Sequence, residues 1–189
     1  MQLSVQSIPK SLIYEMIDRQ PVYYKGYKEV LNGDKTIDEL MGSSYLQSLI
    51  ITQLVYLLMS KLDSNWAVLT NEIGLQLKPK SWRAADIAII EKEKLKLLDE
   101  TNKYLSIPPK VVIEIDTKAE IEEVQESYSY FHRKTDDLLA FGVDKVVWVF
   151  TDSRKVMIAE RDQEWRILDW SKSVTVLEDI SFKITDIVE

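Results

Sequence analysis

The sequence contains no cysteine and only one histidine, His132, among its 189 residues. The lack of cysteine excludes zinc–thiolate sites, disulfide bonds and thiol nucleophiles. A single histidine excludes sites that need two, such as the zinc site of a His-Glu-x-x-His protease or a two-histidine iron centre. If the chain binds a metal ion, a hard cation with oxygen ligands, Mg²⁺ or Mn²⁺, is what remains.

Glycine and proline are also scarce, with five of each, which argues against a disordered linker or a glycine-rich phosphate loop. The length predicts a single domain over residues 1–189 with a sizeable core. A net charge of −7 argues against broad binding of nucleic acid through a basic surface, but leaves room for a local basic groove. Without a recognisable targeting or membrane-spanning segment, and without cysteine, we expect a cytoplasmic protein.

Two short apolar stretches each contain carboxylates. Residues 84–90 (AADIAII) and 110–118 (KVVIEIDTK) both have the composition of buried strands. Alternation along the second strand predicts that Glu114 and Asp116 project to the same side. Carboxylates inside a core strand are costly unless something compensates them, and a divalent cation is an economical compensation. The pattern therefore predicts a metal site made by Asp86, Glu114 and Asp116.

Structural alternatives exist for each of these acids. Glu114 and Asp116 could lie on an edge strand whose outer face is wet, but Val112 on the same face disfavours that interpretation. Asp86 alone could simply cap a turn, because aspartate is common there. The hypothesis of a metal site therefore rests on the joint pattern.

Hydrophobic periodicity predicts a mixed sheet flanked by helices, an α/β or α+β fold. A strand, a long helix over 119–141 and a second strand would form a right-handed βαβ unit, with Gly142 ending the helix. The other predicted elements are a short helix over 11–18, a strand over 22–31, a long helix over 37–62 with a possible break near Gly42, and strands over 66–77, 84–90, 145–151, 156–160, 164–169 and 174–177.

A lysine interrupts the apolar stripe of the second long helix. The stripe consists of Ile121, Val124, Tyr128, Phe131 and Leu138, and its missing position falls on Lys134. Lys134 could face a site beside the acidic strands, or it could extend from the edge of the stripe into water. Gln47 is similarly a polar residue on the inward face of the first long helix. It could be a site residue or a core glutamine with a structural role.

The ordered set of motifs resembles the Uma2 family of proposed endonucleases, part of the PD-(D/E)XK nuclease superfamily and formerly catalogued as a domain of unknown function. Residues 14–18 (YEMID) resemble the family's Tyr-Glu-Leu-Ile-Asp-Gly signature, and residues 85–90 (ADIAII) resemble its Pro-Asp-Val-Ala-Val-Val strand. Residues 111–115 (VVIEI) resemble its Leu-Val-Val-Glu-Val strand. Lys134 precedes Gly142 by eight residues, which is where the family carries its helix lysine. The resemblance spans nearly the whole chain and implies a restriction-endonuclease-like core.

The resemblance implies a Mg²⁺- or Mn²⁺-dependent endonuclease that cleaves nucleic acid, most simply DNA, and that could act as a homodimer. Asp86 and Glu114 would hold the metal, and Lys134 would orient the attacking water or stabilise developing charge. Glu15 would contribute an outer-shell or additional metal contact. Asp116 would be a third ligand or would hold Lys134.

The chain also departs from the family pattern. Asp116 stands where a Glu-x-Lys motif has its lysine, and Gln47 stands where the family frequently has a histidine. These departures favour an alternative from a different class, a nuclease-derived interaction module for nucleic acid or protein that has lost turnover. A third interpretation is a metal phosphoesterase that acts on small phosphates.

Overall fold

The structure is a computed structural model that describes residues 8–98, 103–120, 127–177 and 179–189, without the side chains of 127–129. Ten strands lie in these ranges: β1 Ile13–Ile17, β2 Gln20–Tyr23, β3 Trp66–Lys78, β4 Ser81–Glu91, β5 Val111–Ile115, β6 Lys145–Phe150, β7 Lys155–Glu160, β8 Arg166–Asp169, β9 Val174–Leu177 and β10 Ile180–Phe182. The helices are α1 Tyr27–Asn32, α2 Ile37–Met41, α3 Tyr45–Lys61, α4 Lys92–Leu95, α5 Ser127–Phe141 and α6 Ile184–Val188, preceded by a 3₁₀ turn over Lys10–Leu12.

In the described part of the chain, eight strands form one mixed sheet in the order β2-β1-β4-β5-β6-β7-β8, and β3 pairs with β4. The β5–β6 pair is parallel and the other pairs are antiparallel. This confirms the mixed sheet and the parallel pairing predicted across the second long helix. Strands β4 and β5, which carry Asp86 and Glu114, are neighbours.

Helices cover both faces of the sheet. On one face, α3 and α6 pack on the sheet through Leu54, Ile184 and the isoleucines and valines of the central strands. On the other face, α5 packs through Tyr130 and Leu138 on a second apolar cluster that includes Trp148. Because β4 and β5 lie between these layers, every residue of β5 is buried.

The predicted break in the first long helix is confirmed, since α2 ends at Met41 and α3 begins at Tyr45. The second long helix was predicted over 119–141, but Ala119 forms an extended bridge with Tyr24. The described helix begins at Ser127, and residues 121–126, with the stripe positions Ile121 and Val124, lie outside the described residues. The C-terminus is as predicted: Gly142 has a φ of +120°, and its N–H bonds to the carbonyl of Leu139 at 3.1 Å.

The N-terminal prediction is wrong. Residues 13–17 form β1 instead of a helix, and β1 pairs with β2 as a hairpin. Asp18 and Arg19 connect the two strands with φ values of +49° and +70°, the backbone conformation of a two-residue hairpin turn. Asp-Arg lacks the glycine that makes such a turn recognisable in a sequence. The strand predicted over 22–31 is likewise divided between β2 and α1.

Candidate active site

Asp86 and Glu114 lie on adjacent strands, as predicted. Ile87 of β4 pairs with Ile113 of β5, so the next pair in the register is Asp86 and Glu114. The Asp86 carboxylate accepts a hydrogen bond from the Ile115 N–H at 2.7 Å. Asp86 is 8% exposed and Glu114 is 1% exposed, which excludes a wet strand face for Glu114.

Lys134 lies inside the protein beside these acids. Its side chain is completely buried, with Nζ 2.9 Å from Glu15 Oε1 and 3.1 Å from Glu114 Oε1. The ammonium of Lys134 thus lies between two buried carboxyl groups. The rings of Tyr14 and Trp148 lie 5.7 and 5.4 Å from Nζ, within the range of cation–π attraction. The alternative in which Lys134 extends into water is therefore wrong.

Glu15 is the anchor of this buried cluster. Besides Lys134, its carboxylate contacts Arg83 Nη1 at 2.8 Å, the Tyr130 hydroxyl at 2.9 Å and the Ala84 N–H at 3.1 Å. These contacts occupy both oxygens of a side chain with no exposure to solvent. Glu15 thus lies next to Lys134, and its described contacts are those of a residue that positions cations.

Sequence reasoning missed Arg83. It is 1% exposed and connects Glu15 to Asp137 of α5. Its position two residues after a hairpin turn is usually solvated, so only the pairing of β1 with this end of β4 shows that it is buried. No sequence signal near Arg83 would have identified it.

The electrostatics of the cluster are unbalanced. Three buried carboxylates, Glu15, Asp86 and Glu114, face two buried cations, Lys134 and Arg83. Burial raises the pKa of Glu15, but Lys134 and Arg83 outweigh that effect and the net pKa is lowered. Burial also opposes the charge of Lys134, yet Glu114 and Glu15 keep its pKa above the ordinary value.

The excess of acids over cations raises the pKa of the two strand acids. Burial and, to a lesser extent, the nearby charges of Asp86 and Glu15 raise the pKa of Glu114 to about 8, although the Lys134 charge opposes them. Burial raises the pKa of Asp86 to about 6, although the hydrogen bond from Ile115 works against it. Both carboxyls therefore lack a full cationic partner in the metal-free protein.

Asp116 does not join this cluster, which corrects the expectation that it projects to the side of Glu114. Both of its oxygens accept hydrogen bonds from Thr151, one from the N–H at 2.8 Å and one from the hydroxyl at 2.7 Å. Its φ of +57° ends the strand, and the alternation of faces no longer applies beyond a residue in this conformation. The described ion pairs of Lys134 are with Glu15 and Glu114 only.

Gln47 connects α3 to the end of β5. Its side chain is 7% exposed, and its Nε2 donates to the carbonyl of Ile115 at 2.8 Å. The same residue, Ile115, donates its N–H to Asp86. Gln47 thus fixes the backbone that holds Asp86, and one lone pair of the Ile115 carbonyl is already occupied.

The donor set is compatible with a hard divalent cation. No three His, Asp or Glu side chains among the described residues already form a complete metal-binding group. Mg²⁺, however, is commonly held by one or two carboxylates together with waters and substrate phosphates. The burial of Asp86 and Glu114 and the raised pKa of both acids fit such a site.

The fold and the site define a mixed-sheet domain with a buried acid–lysine cluster at the junction of β4, β5 and α5. The structure is similar to the crystal structure of a protein from Anabaena variabilis described as a candidate nuclease belonging to DUF820, which is the Uma2 family. The TM-score is 0.67 at 15% sequence identity, over 92% of this chain and 88% of that chain. The comparison confirms the fold expected from the sequence, a mixed sheet flanked by helices. No protein-family model and no curated protein matches the sequence.

Proposed function

We propose that the protein is a Mg²⁺- or Mn²⁺-dependent endonuclease that hydrolyses phosphodiester bonds in nucleic acid. The observation that carries this proposal is the surplus of buried carboxylate at Asp86 and Glu114. Uncompensated acids destabilise a protein core, whereas a metal site requires carboxylates as ligands. The similarity in fold to a candidate nuclease adds independent support.

Asp86 and Glu114 would hold the cation, which would supply Lewis acidity to a bound water and to the phosphate. The Ile115 N–H fixes one oxygen of Asp86 and leaves the other without a described hydrogen bond. Asp86 lines a cavity of about 390 Å³ whose other lining residues include Thr52 of α3 and Thr70 of β3. The cavity gives solvent and substrate a route to the acid.

Lys134 would supply a fixed positive charge at the reacting phosphate. Glu15 already holds its ammonium 2.9 Å away, and Arg83 keeps Glu15 ionised. If Glu114 binds a cation, Lys134 would lose its contact with Glu114 and keep its contact with Glu15. A preorganised charge of this kind stabilises a transition state without the cost of reorganising solvent.

A larger cleft of about 740 Å³ shares Lys118 with the cavity beside Asp86. Its lining includes the rings of Phe131 and Phe150, three lysines (Lys25, Lys35 and Lys118) and five acids (Glu29, Glu39, Asp116, Glu120 and Asp152). Because these acids outnumber the lysines, the cleft by itself does not favour a phosphate backbone.

The proposal is tested by incubating the full chain with supercoiled plasmid, single-stranded DNA and RNA, with Mg²⁺, Mn²⁺ or EDTA. We expect cleavage that requires the cation and that is lost in Asp86→Asn and Glu114→Gln. Asp169→Asn, an exposed residue paired with Lys155, is the matched control and should cleave like the wild type. Cation binding without cleavage of any substrate would favour the interaction module, and absence of both would refute the proposal.

A further inference from the structure

A β-bulge in β3 lies directly opposite Asp86. Thr70 pairs with Ile87 and Ile73 pairs with Ala85, so Asn71 and Glu72 together face the single residue between them on β4, which is Asp86. Bulges of this kind redirect a side chain and are common beside active sites. Here the bulge turns Glu72 toward the cavity that Asp86 lines.

Asn71 and Glu72 both have left-handed backbone conformations, with φ values of +70° and +54°. Non-glycine residues reach this region at an energetic cost, and two in succession are uncommon. The Thr70 hydroxyl donates to the Asp86 carbonyl at 2.9 Å, which ties the bulge to β4 at this point. The conformation therefore places Glu72 at a defined position relative to Asp86.

Asp86 presents an available ligand atom to the same cavity. The side chain is more than nine-tenths buried, and its one described hydrogen bond uses Oδ2. Oδ1 accepts no hydrogen bond among the described residues. Glu72 and Asp86 line the same cavity, so a cation held by Asp86 there would lie close to the Glu72 carboxylate.

Lys118 currently neutralises Glu72. Its Nζ contacts Glu72 Oε1 and also donates to the Met41 carbonyl at 3.0 Å. The Lys118 side chain is 15% exposed and the Glu72 side chain is 33% exposed, so Glu72 has room to rotate. If the Glu72 side chain rotates away from Lys118, the hydrogen bond to the Met41 carbonyl still holds Lys118 beside the cavity.

We propose that Glu72 is an additional carboxylate of the cation site beside Asp86, and that Lys118 is its resting partner in the metal-free protein. This inference rests on the proposed function, because it requires a cation at Asp86. Rotation of Glu72 toward the cation would add negative charge to the site and release the ammonium of Lys118 for an anionic group. The phosphate of the proposed substrate is such a group.

The test is a Mn²⁺ titration of the full chain, followed by calorimetry, for wild type, Glu72→Gln and Lys118→Gln. Glu72→Gln should weaken Mn²⁺ binding roughly 10- to 100-fold, the scale for losing a supporting ligand. Lys118→Gln should strengthen binding, because it frees Glu72 and removes a nearby positive charge. Asp169→Asn and Lys155→Gln, from an exposed ion pair of the same composition, should each change the affinity by less than about twofold.

A second readout separates a ligand from a distant charge. Water proton relaxation by the bound Mn²⁺ should increase in Glu72→Gln, because water replaces a lost carboxylate in the coordination shell. If Glu72→Gln does not fold, Glu72→Asp is used, and weaker binding with the same increase in relaxation is expected. Wild-type binding with unchanged affinity and relaxation in the Glu72 variant would overturn this inference alone. Failure of the wild type to bind Mn²⁺ would overturn the proposed cation site and this inference with it.

Discussion

The two faces of the central sheet are built from different kinds of residue. The cluster under α3 and α6 is apolar, with Ile50, Leu54 and Leu58 packed on the strands. The cluster under α5 has a comparable apolar base but also encloses the charged groups of Lys134 and Glu15. The first face is organised to bury apolar area, and the second places charges where water is excluded.

This difference has an energetic consequence. Apolar side chains stabilise the fold through the area they remove from water. Buried charges lose their hydration. Attraction to a well-placed partner of opposite charge is needed to compensate that loss. Because burial raises the pKa of Asp86 and Glu114 in the metal-free protein, we infer that the face under α5 contributes less stability at neutral pH than the apolar face does.

The largest expected effect is that a substitution on the charged face reduces cleavage, whereas a substitution on the apolar face reduces stability. Asp86→Asn should reduce cleavage by roughly three orders of magnitude or more, with little loss of stability, because it removes a charge that burial disfavours. Leu54→Ala should cost about 2–5 kcal/mol of unfolding free energy, with unchanged turnover per folded molecule. Urea denaturation and plasmid nicking on both variants check this. If Asp86→Asn unfolds the protein and retains cleavage, the comparison of the two faces fails.

The next effect concerns the anchor of the charged face. Arg83→Met removes the described cation of Asp137 and one of the two cations that contact Glu15, and we expect a loss of about 3–5 kcal/mol. Arg133→Met removes an arginine that is more than half exposed, beside Asp18, and should change stability by less than about 1 kcal/mol. Denaturant midpoints of the two variants measure the contrast. Equal midpoints would show that the buried network contributes nothing specific.

The pH dependence of stability gives a smaller effect with a defined sign. In the metal-free protein the pKa of Glu114 is about 8, against an ordinary value of 4.5. The folded protein therefore keeps a proton on Glu114 at pH values where the unfolded chain releases it. The contribution of this group to the free energy of unfolding is fully present below pH 4.5 and is lost as pH rises through 8. With EDTA, the free energy of unfolding should fall between pH 5 and 8.5, by at most about 1.4 kcal/mol per pH unit for this group.

Glu114→Gln is the control for that measurement, because glutamine cannot titrate. The pH dependence above pH 6 should become flatter in the variant. An equally steep fall in Glu114→Gln would assign the titration to a different group.

The smallest effect belongs to the hydrogen bond by which Gln47 of α3 contacts β5. Gln47→Leu removes the hydrogen bond to the Ile115 carbonyl and should cost about 1 kcal/mol. Cation affinity should fall modestly as well, since Ile115 also holds Asp86. An unchanged affinity would show that Asp86 is positioned without help from α3.

The sequence predicted the part of the site that depends on local periodicity. Asp86 and Glu114 stood out as charges in apolar strands, and Lys134 stood out as a charge on an apolar stripe. The spacing in the sequence matches the structure at these residues because β4, β5 and α5 are regular there. Local regularity is therefore what made these three residues predictable.

The features that were missed depend on backbone irregularity or on contacts distant in sequence. Asp116 was placed with Glu114 because strand alternation was extended past the end of β5, where the backbone becomes left-handed. Residues 13–17 were assigned to a helix because the turn at Asp18 has no glycine. Arg83 is buried through tertiary ion pairs, and Glu72 is placed opposite Asp86 by a β-bulge; neither feature has a periodic signature in the sequence.

The most direct test of a cation site at Asp86 and Glu114 is Mn²⁺ binding at pH 7, measured by calorimetry in two buffers with different heats of ionisation. With a pKa of about 8, the Glu114 carboxyl is largely protonated at this pH, whereas Asp86, with a pKa of about 6, is largely ionised. Because a carboxylate must lose its proton to bind a metal, the account predicts release of about one proton per Mn²⁺ bound. Binding without proton release, or no binding at all, would contradict it.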